Sequence, residues 1–219
     1  MDVDEQDGYK RNQALEAIAL TVGDGRAPSA LLRTDVKRLL DTDRGMDVVP
    51  AANDPNFAAY AFFSEEAPGR GFEVSFSGYE IFALLVGLHL MAHGWPQATA
   101  VSIIRRARPA LEPKHAEILQ WDSCELFDEQ KIREAAKPGS LAVASTRPVF
   151  LMTLSSKRDA TAQRSEEPLE VAVLEQDKLS FSALPPGTSF TLMELTRMAH
   201  DLRAALAETK PIKRGRGSS

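Results

Sequence analysis

The sequence predicts an α+β protein, mainly helical at first and closing with a small antiparallel sheet and one helix. Two observations carry that prediction. Apolar residues recur at helical spacing through the stretch before Trp121, whereas short runs after Pro148, such as Val149–Leu154, read as strands. Between the two patterns stands Pro138-Gly139-Ser140, a turn-rich break. It divides the chain into a leading acidic segment and helix (1–26), a helical module (27–137), a small α/β module (138–209) and a basic, disordered tail (210–219).

The elements follow in order. The first eight residues hold four acids and are expected to fray. From Tyr9 onward, Leu15, Ile18 and Val22 mark a helix that Gly23-Asp24-Gly25 ends. Ser29 is placed to cap a second helix, 30–41, with Leu32, Val36, Leu39 and Leu40 facing inward and Arg33, Lys37 and Arg38 on the polar side. Residues 45–56 are rich in turn formers, and Phe57, Tyr60, Phe62 and Phe63 form a short aromatic segment. Pro68-Gly69-Arg70-Gly71 reads as a tight turn, and Phe72-Glu73-Val74-Ser75-Phe76 as a half-buried strand. Ser77 and Glu80 have the spacing of a capping box for an apolar helix that reaches His93 and stops at Gly94.

Beyond Gly94-Trp95-Pro96, Ala100, Val101, Ile104 and Ala107 line another helix. Pro109 and Pro113 are expected to bend or interrupt it before a separate helical stretch at 114–121, and 128–137 reads as one more short helix. In the last module, strands are expected at 149–154, 169–174 and 178–181, the latter two around a turn at Gln176-Asp177. Thr191, with Glu194 three residues on, is expected to cap a final helix striped by Leu195, Met198, Leu202, Ala205 and Leu206.

Bulk composition narrows the function. At 219 residues and 43% hydrophobic, the chain can bury a core; at 26% charged it has the make-up of a soluble protein. A net charge of −5 argues against a uniformly basic coat for nucleic acid, but local clusters of Lys and Arg decide DNA affinity. The lone Cys124 and an N-terminus without an apolar run point to a cytoplasmic protein with no membrane association and no disulfide within the chain. No Walker loop, metalloprotease helix or nucleophile elbow occurs, so no catalytic, cofactor or metal site is expected. His89 and His93 are four residues apart on one helix, which can suit a metal, but no acidic neighbour or third ligand adjoins them; a core or boundary histidine pair is the expectation.

The order of elements resembles the MerR family of winged helix-turn-helix DNA-binding proteins. The matching residues are Pro68-Gly69-Arg70-Gly71-Phe72-Glu73-Val74-Ser75-Phe76-Ser77, then the helix Phe82-Ala83-Leu84-Leu85-Val86-Gly87-Leu88-His89-Leu90-Met91, closed by His93-Gly94-Trp95-Pro96. The resemblance covers about 27–108. It implies a recognition helix at 30–41, a hairpin wing with Arg70 at its tip, and sequence-specific binding of double-stranded DNA by a homodimer that regulates transcription. Candidate DNA contacts are Arg33, Thr34, Lys37, Arg38 and Arg44 from the helix, Arg70 from the wing, and Arg105, Arg106 and Arg108 from the helix behind it. Asp35, Asp41, Asp43 and Asp47 lie among these cations and dilute their field, which keeps open an alternative: a protein-interaction adaptor on the same scaffold, its charged helix face merely solvated. In the DNA-binding reading the C-terminal module would serve dimerisation, partner contact or effector sensing.

Overall fold

The computed structural model describes residues 8–46, 60–64, 74–135, 143–156, 170–179 and 188–210. Within them the chain is α+β, as expected, with helices dominating and two small antiparallel sheets. The order is β1 (Tyr9–Lys10), α1 (Arg11–Thr21), α2 (Ala30–Gly45), β2 (Ser75–Phe76), α3 (Gly78–Ala92), α4 (Gln97–Ile118), α5 (Ser123–Leu126), α6 (Glu129–Ala135), β3 (Val149–Ser156), β4 (Glu170–Glu175), β5 (Thr188–Glu194) and α7 (Thr196–Glu208). The expected fraying of the N-terminus, most of the turn-rich 45–56 stretch, the turn around Arg70 and nearly all of the basic tail lie outside the described residues.

The axis of the fold is α3, ten of whose fifteen residues are buried. Its start is the capping box read from the sequence: the Glu80 amide donates to Ser77 Oγ at 3.1 Å, and the Ser77 amide donates to the Glu80 carboxylate at 2.7 Å. Its end needs Gly94, which sits at φ +90°, while the Gly94 and Trp95 amides close back on Met91 and Leu90. In the middle, Gly87 lets α2 and the 60–64 segment approach: a Cβ there would stand 3.3 Å from both Leu39 Cδ1 and Phe62 Cζ.

One expectation about α4 is overturned. Pro109 and Pro113 do not interrupt it; the helix runs unbroken for 22 residues. Each proline removes a helical N–H and crowds the carbonyl four residues back, a cost of about 3 kcal/mol in an isolated helix. Burial of Val101, Ile103, Ile104, Ala107, Leu111 and Ile118 along the same helix holds it straight enough to continue.

Strand β2 also differs from the expected wing. Among the described residues its partner is β1, with Tyr9 opposite Phe76 and Lys10 opposite Ser75, so the segment leading into α1 supplies the second strand. In the C-terminal sheet, β3 is central and pairs antiparallel with both neighbours, in the order β4-β3-β5. The strands at 149–154 and 169–174 are found with slightly shifted ends. Of the third, expected at 178–181, Lys178 belongs instead to a 3-10 turn, Gln176–Lys178, and residues 180–181 lie outside the described residues; the third described strand of the sheet is β5. Thr191 is consequently a strand residue opposite Thr153, not a helix cap. Glu194 does the capping instead, its carboxylate accepting from the Arg197 amide. Thr196 ties the start of α7 to the start of β3, accepting from the Val149 amide at 3.1 Å and donating to the Arg147 carbonyl at 3.0 Å.

The expected division at 138–140 does not split the core. Val149, Leu151, Met193, Leu195, Leu202 and Leu206 share one hydrophobic cluster with Leu15, Ile18, Phe82 and Leu90. α7 packs along α1, and Arg26 bridges Glu16 of α1 and Glu208 of α7 on the surface. First and last helices are therefore neighbours, and the C-terminal segment is part of the same body.

Where α4 meets α7, His115 stacks on Phe82 at 4.4 Å between centroids and meets the edge of Tyr79 at 5.8 Å. Burial, then the charges of Arg203 and His200, push its pKa down to about 4. The unfolded chain takes up this proton near the ordinary imidazole value of 6.5, so His115 contributes stability that is complete above that pH, falls between 6.5 and about 4, and is gone below. The full span corresponds to about 3 kcal/mol. His89 and His200, whose pKa values burial also lowers, act in the same direction. Urea unfolding at pH 7 and pH 4.5 checks this: the wild type loses stability on acidification, and His115→Leu loses markedly less, whatever its stability at pH 7. Equal pH slopes for the two proteins would remove His115 from the account.

Candidate nucleic-acid interface

Helix α2 carries the candidate surface. Ser29 caps it, accepting from the Leu32 amide at 3.1 Å, and Asp24 accepts from the Ser29 amide at 2.8 Å, which fixes the turn that enters the helix. The helix extends to Gly45, one turn past the expected end at Asp41, and so brings Arg44 onto the same rod. Val36, Leu39, Leu40 and Asp43 are buried against the body. Arg33, Thr34, Lys37, Arg38 and Arg44 are all exposed, off the buried stripe.

Their charges are partly met. Arg38 pairs with Asp35 and Arg44 with Asp41, each at 3.7 Å and largely in solvent, where such pairs contribute little. Arg44 also lies 5.6 Å over the Phe63 ring. Arg33 Nε donates to the Pro28 carbonyl at 3.1 Å, which commits one nitrogen of the guanidinium and leaves the terminal two. Four cations against two acids leave this face basic in a chain that is acidic overall.

The back of α2 is bolted down by Asp43, Arg105 and Gln97, with Arg108 holding the adjacent 60–64 segment. Asp43 is fully buried; its carboxylate accepts from Arg105 Nε at 2.8 Å and from the amides of Ala61 and Phe62 at 2.9–3.0 Å. Arg105 is likewise fully buried and donates a second bond to the Asp43 carbonyl. Arg108 is 8% exposed; it donates to the carbonyls of Tyr60 and Phe63 and pairs with Glu112 at 3.0 Å. Gln97, in the first turn of α4, donates to the Arg38 carbonyl and to Thr42.

Two candidate contacts therefore leave the surface. Arg105 and Arg108 face inward because α4 is packed on both α2 and the 60–64 segment, and their guanidiniums satisfy buried carboxylate and carbonyl oxygens. Arg106 stays half-buried on α4, and Arg70 lies outside the described residues. Asp43, counted at first among the acids that dilute the field, contributes nothing to the outer face. A signal for it was present: position 43 falls three, four and seven residues after Leu40, Leu39 and Val36, on the inward stripe.

Other candidate chemistry is sparse. Among the described residues no group of three or more His, Cys, Asp or Glu is close enough to hold a metal ion. A shallow cleft of about 320 Å³ lies between Trp121, Arg147, Pro148 and Glu175, with Arg147 stacked 4.1 Å over the Trp121 ring. No described helix is long and apolar enough to cross a membrane. Compared with family models, with curated proteins and with solved structures, the chain matches none.

The geometry separates positions that carry the fold from positions that only present charge. Alanine at Arg33, Lys37 or Arg38 is expected to change unfolding free energy by about 0.5 kcal/mol or less, since each side chain is exposed. Asp43→Ala or Arg105→Ala leaves a buried charge without its partner and is expected to cost about 3–5 kcal/mol. Urea unfolding followed by circular dichroism tests both; comparable losses in the two sets would mean that α2 is not anchored as described.

Proposed function

We propose that this protein binds double-stranded DNA sequence-specifically as a homodimer and regulates transcription, with α2 lying in the major groove. One observation carries the reading: a basic helix face is exposed along its whole length, while the rear of the same helix is locked to the core by Asp43, Leu39 and Leu40. A helix of this width fits the major groove, and a rigid rear keeps its register against base edges. Such a helix covers one half-site, so two copies related by a two-fold axis double the contact and select a palindromic site. Arg70, set between two glycines, is the second element of the proposal, a guanidinium able to enter the minor groove or grip a phosphate beside it.

A second reading, the protein-interaction adaptor, draws on the pairing of Arg38 with Asp35 and Arg44 with Asp41 and on the net charge of −5. Neutralised arginines suit a protein surface as well as a phosphate backbone.

Recovery of genomic DNA fragments with the tagged full chain, followed by mobility-shift titration on the recovered sequences, decides between them. A DNA-binding protein shows a shift that weakens steeply with salt and is lost when Arg33, Lys37 and Arg70 become alanine. An adaptor recovers no sequence above background at physiological salt, and its partner survives a nuclease wash.

A further inference from the structure

We infer that α2 reads a thymine, with Leu31 packing on the C5-methyl group and Thr34 accepting a hydrogen bond from a neighbouring base amino group. This rests on the DNA-binding reading above and goes beyond it by assigning the base and the side chains that select it.

Among the described residues three large apolar side chains are exposed: Val22, Leu31 and Phe190. Val22 closes α1 and Phe190 lies in β5, whereas Leu31, at 69% the most exposed of the three, stands on the basic face of α2. Leu31, Thr34 and Arg38 are three and then four residues apart, so they form one row along the helix; Arg33 and Lys37 form the row beside it. Along the axis the first row advances about 4.5 Å and then about 6 Å, steps on the scale of the roughly 3.4 Å between stacked bases.

The hydrogen-bonding state of each side chain narrows what the row can select. Leu31 has no polar atom and complements only an apolar group. Thr34 Oγ1 donates its proton to the Ala30 carbonyl at 2.8 Å, so toward a ligand it offers lone pairs and a methyl group. Neither side chain satisfies the N7 and O6 acceptors of guanine. Thymine is the base whose major-groove edge carries a methyl group, and the adenine paired with it carries an amino donor. Beside this row, Arg33 keeps its terminal nitrogens, and Lys37 has no ion-pair partner among the described residues. Both are suited to the phosphates that flank the groove. Leu31 also lies in the first turn of α2, and a helix that enters the groove by its N-terminal end contacts base edges with those residues.

The test selects duplexes from a random library with the full chain. The best duplex is then titrated against copies in which each thymine in turn is replaced by deoxyuridine, which removes only the methyl group. One replacement per half-site is expected to weaken wild-type binding about fourfold, the value of one buried methyl. Leu31→Ala is expected to bind the thymine and deoxyuridine duplexes equally, with an unchanged salt slope and an unchanged thermal transition. Wild-type binding indifferent to every replacement, or a Leu31→Ala protein that still discriminates, overturns the inference while leaving DNA binding intact. A chain that enriches no duplex at low salt overturns the DNA-binding reading, and this inference with it.

Discussion

The buried pair of Asp43 and Arg105 is the constraint on which the arrangement of the candidate surface depends. Removing two charges from water is expensive, and the attraction between them repays that only with good geometry and further hydrogen bonds. Here Asp43 takes two further bonds from the amides of Ala61 and Phe62, and Arg105 Nη2 gives one more to the Asp43 carbonyl, while the buried Nη1 of Arg105 has no hydrogen-bond partner among the described residues. The pair joins the last turn of α2, the middle of α4 and the 60–64 segment at one point. An apolar contact could supply comparable stability there, but a carboxylate with three directed partners permits only one registration of α2 against α4.

That registration decides what α2 presents. With Asp43, Leu39 and Leu40 held inside, the helix cannot roll without exposing a charge-paired carboxylate or burying a lysine or arginine, and both are costly. The outer face then needs no contacts of its own to remain outward, and its side chains are left with hydrogen-bonding capacity uncommitted to the fold. Arg108 performs a related service next door. It ties down the carbonyls of Tyr60 and Phe63, backbone acceptors that no regular secondary structure satisfies.

The integration of the C-terminal segment has its own physical cause. α3 is apolar nearly all round and cannot be covered by α2 and α4 alone. α7 and the sheet supply further cover, and the first helix packs on the last. Two sequence segments that each look like a small module thus complete a single hydrophobic cluster, because neither buries its own apolar surface.

Much of this was legible beforehand, and the dividing line is physical. Local rules sufficed wherever a residue acts on its own neighbourhood. Ser77 with Glu80, Gly94 after His93, Ser29 before α2 and the inward row Val36, Leu39, Leu40 were all read from spacing, and the outward set Arg33, Thr34, Lys37, Arg38 and Arg44 followed from the same periodicity. Long-range partners were not legible. Arg105, four residues after Val101, falls on the inward side of α4 and Arg106 does not, but that a carboxylate 62 residues away would meet Arg105 there is not encoded locally. Pro109 and Pro113 announce a break that the packing of α4 overrides, and Thr191 has the look of a cap until Thr153 pairs with it in the sheet. Periodicity and capping chemistry are encoded within a few residues, so the sequence alone determined the starts of α2 and α3, the end of α3 and the outer face of α2. Ion pairing, strand partnership and tolerance of proline depend on groups brought together from distant positions, and those the tertiary structure decided.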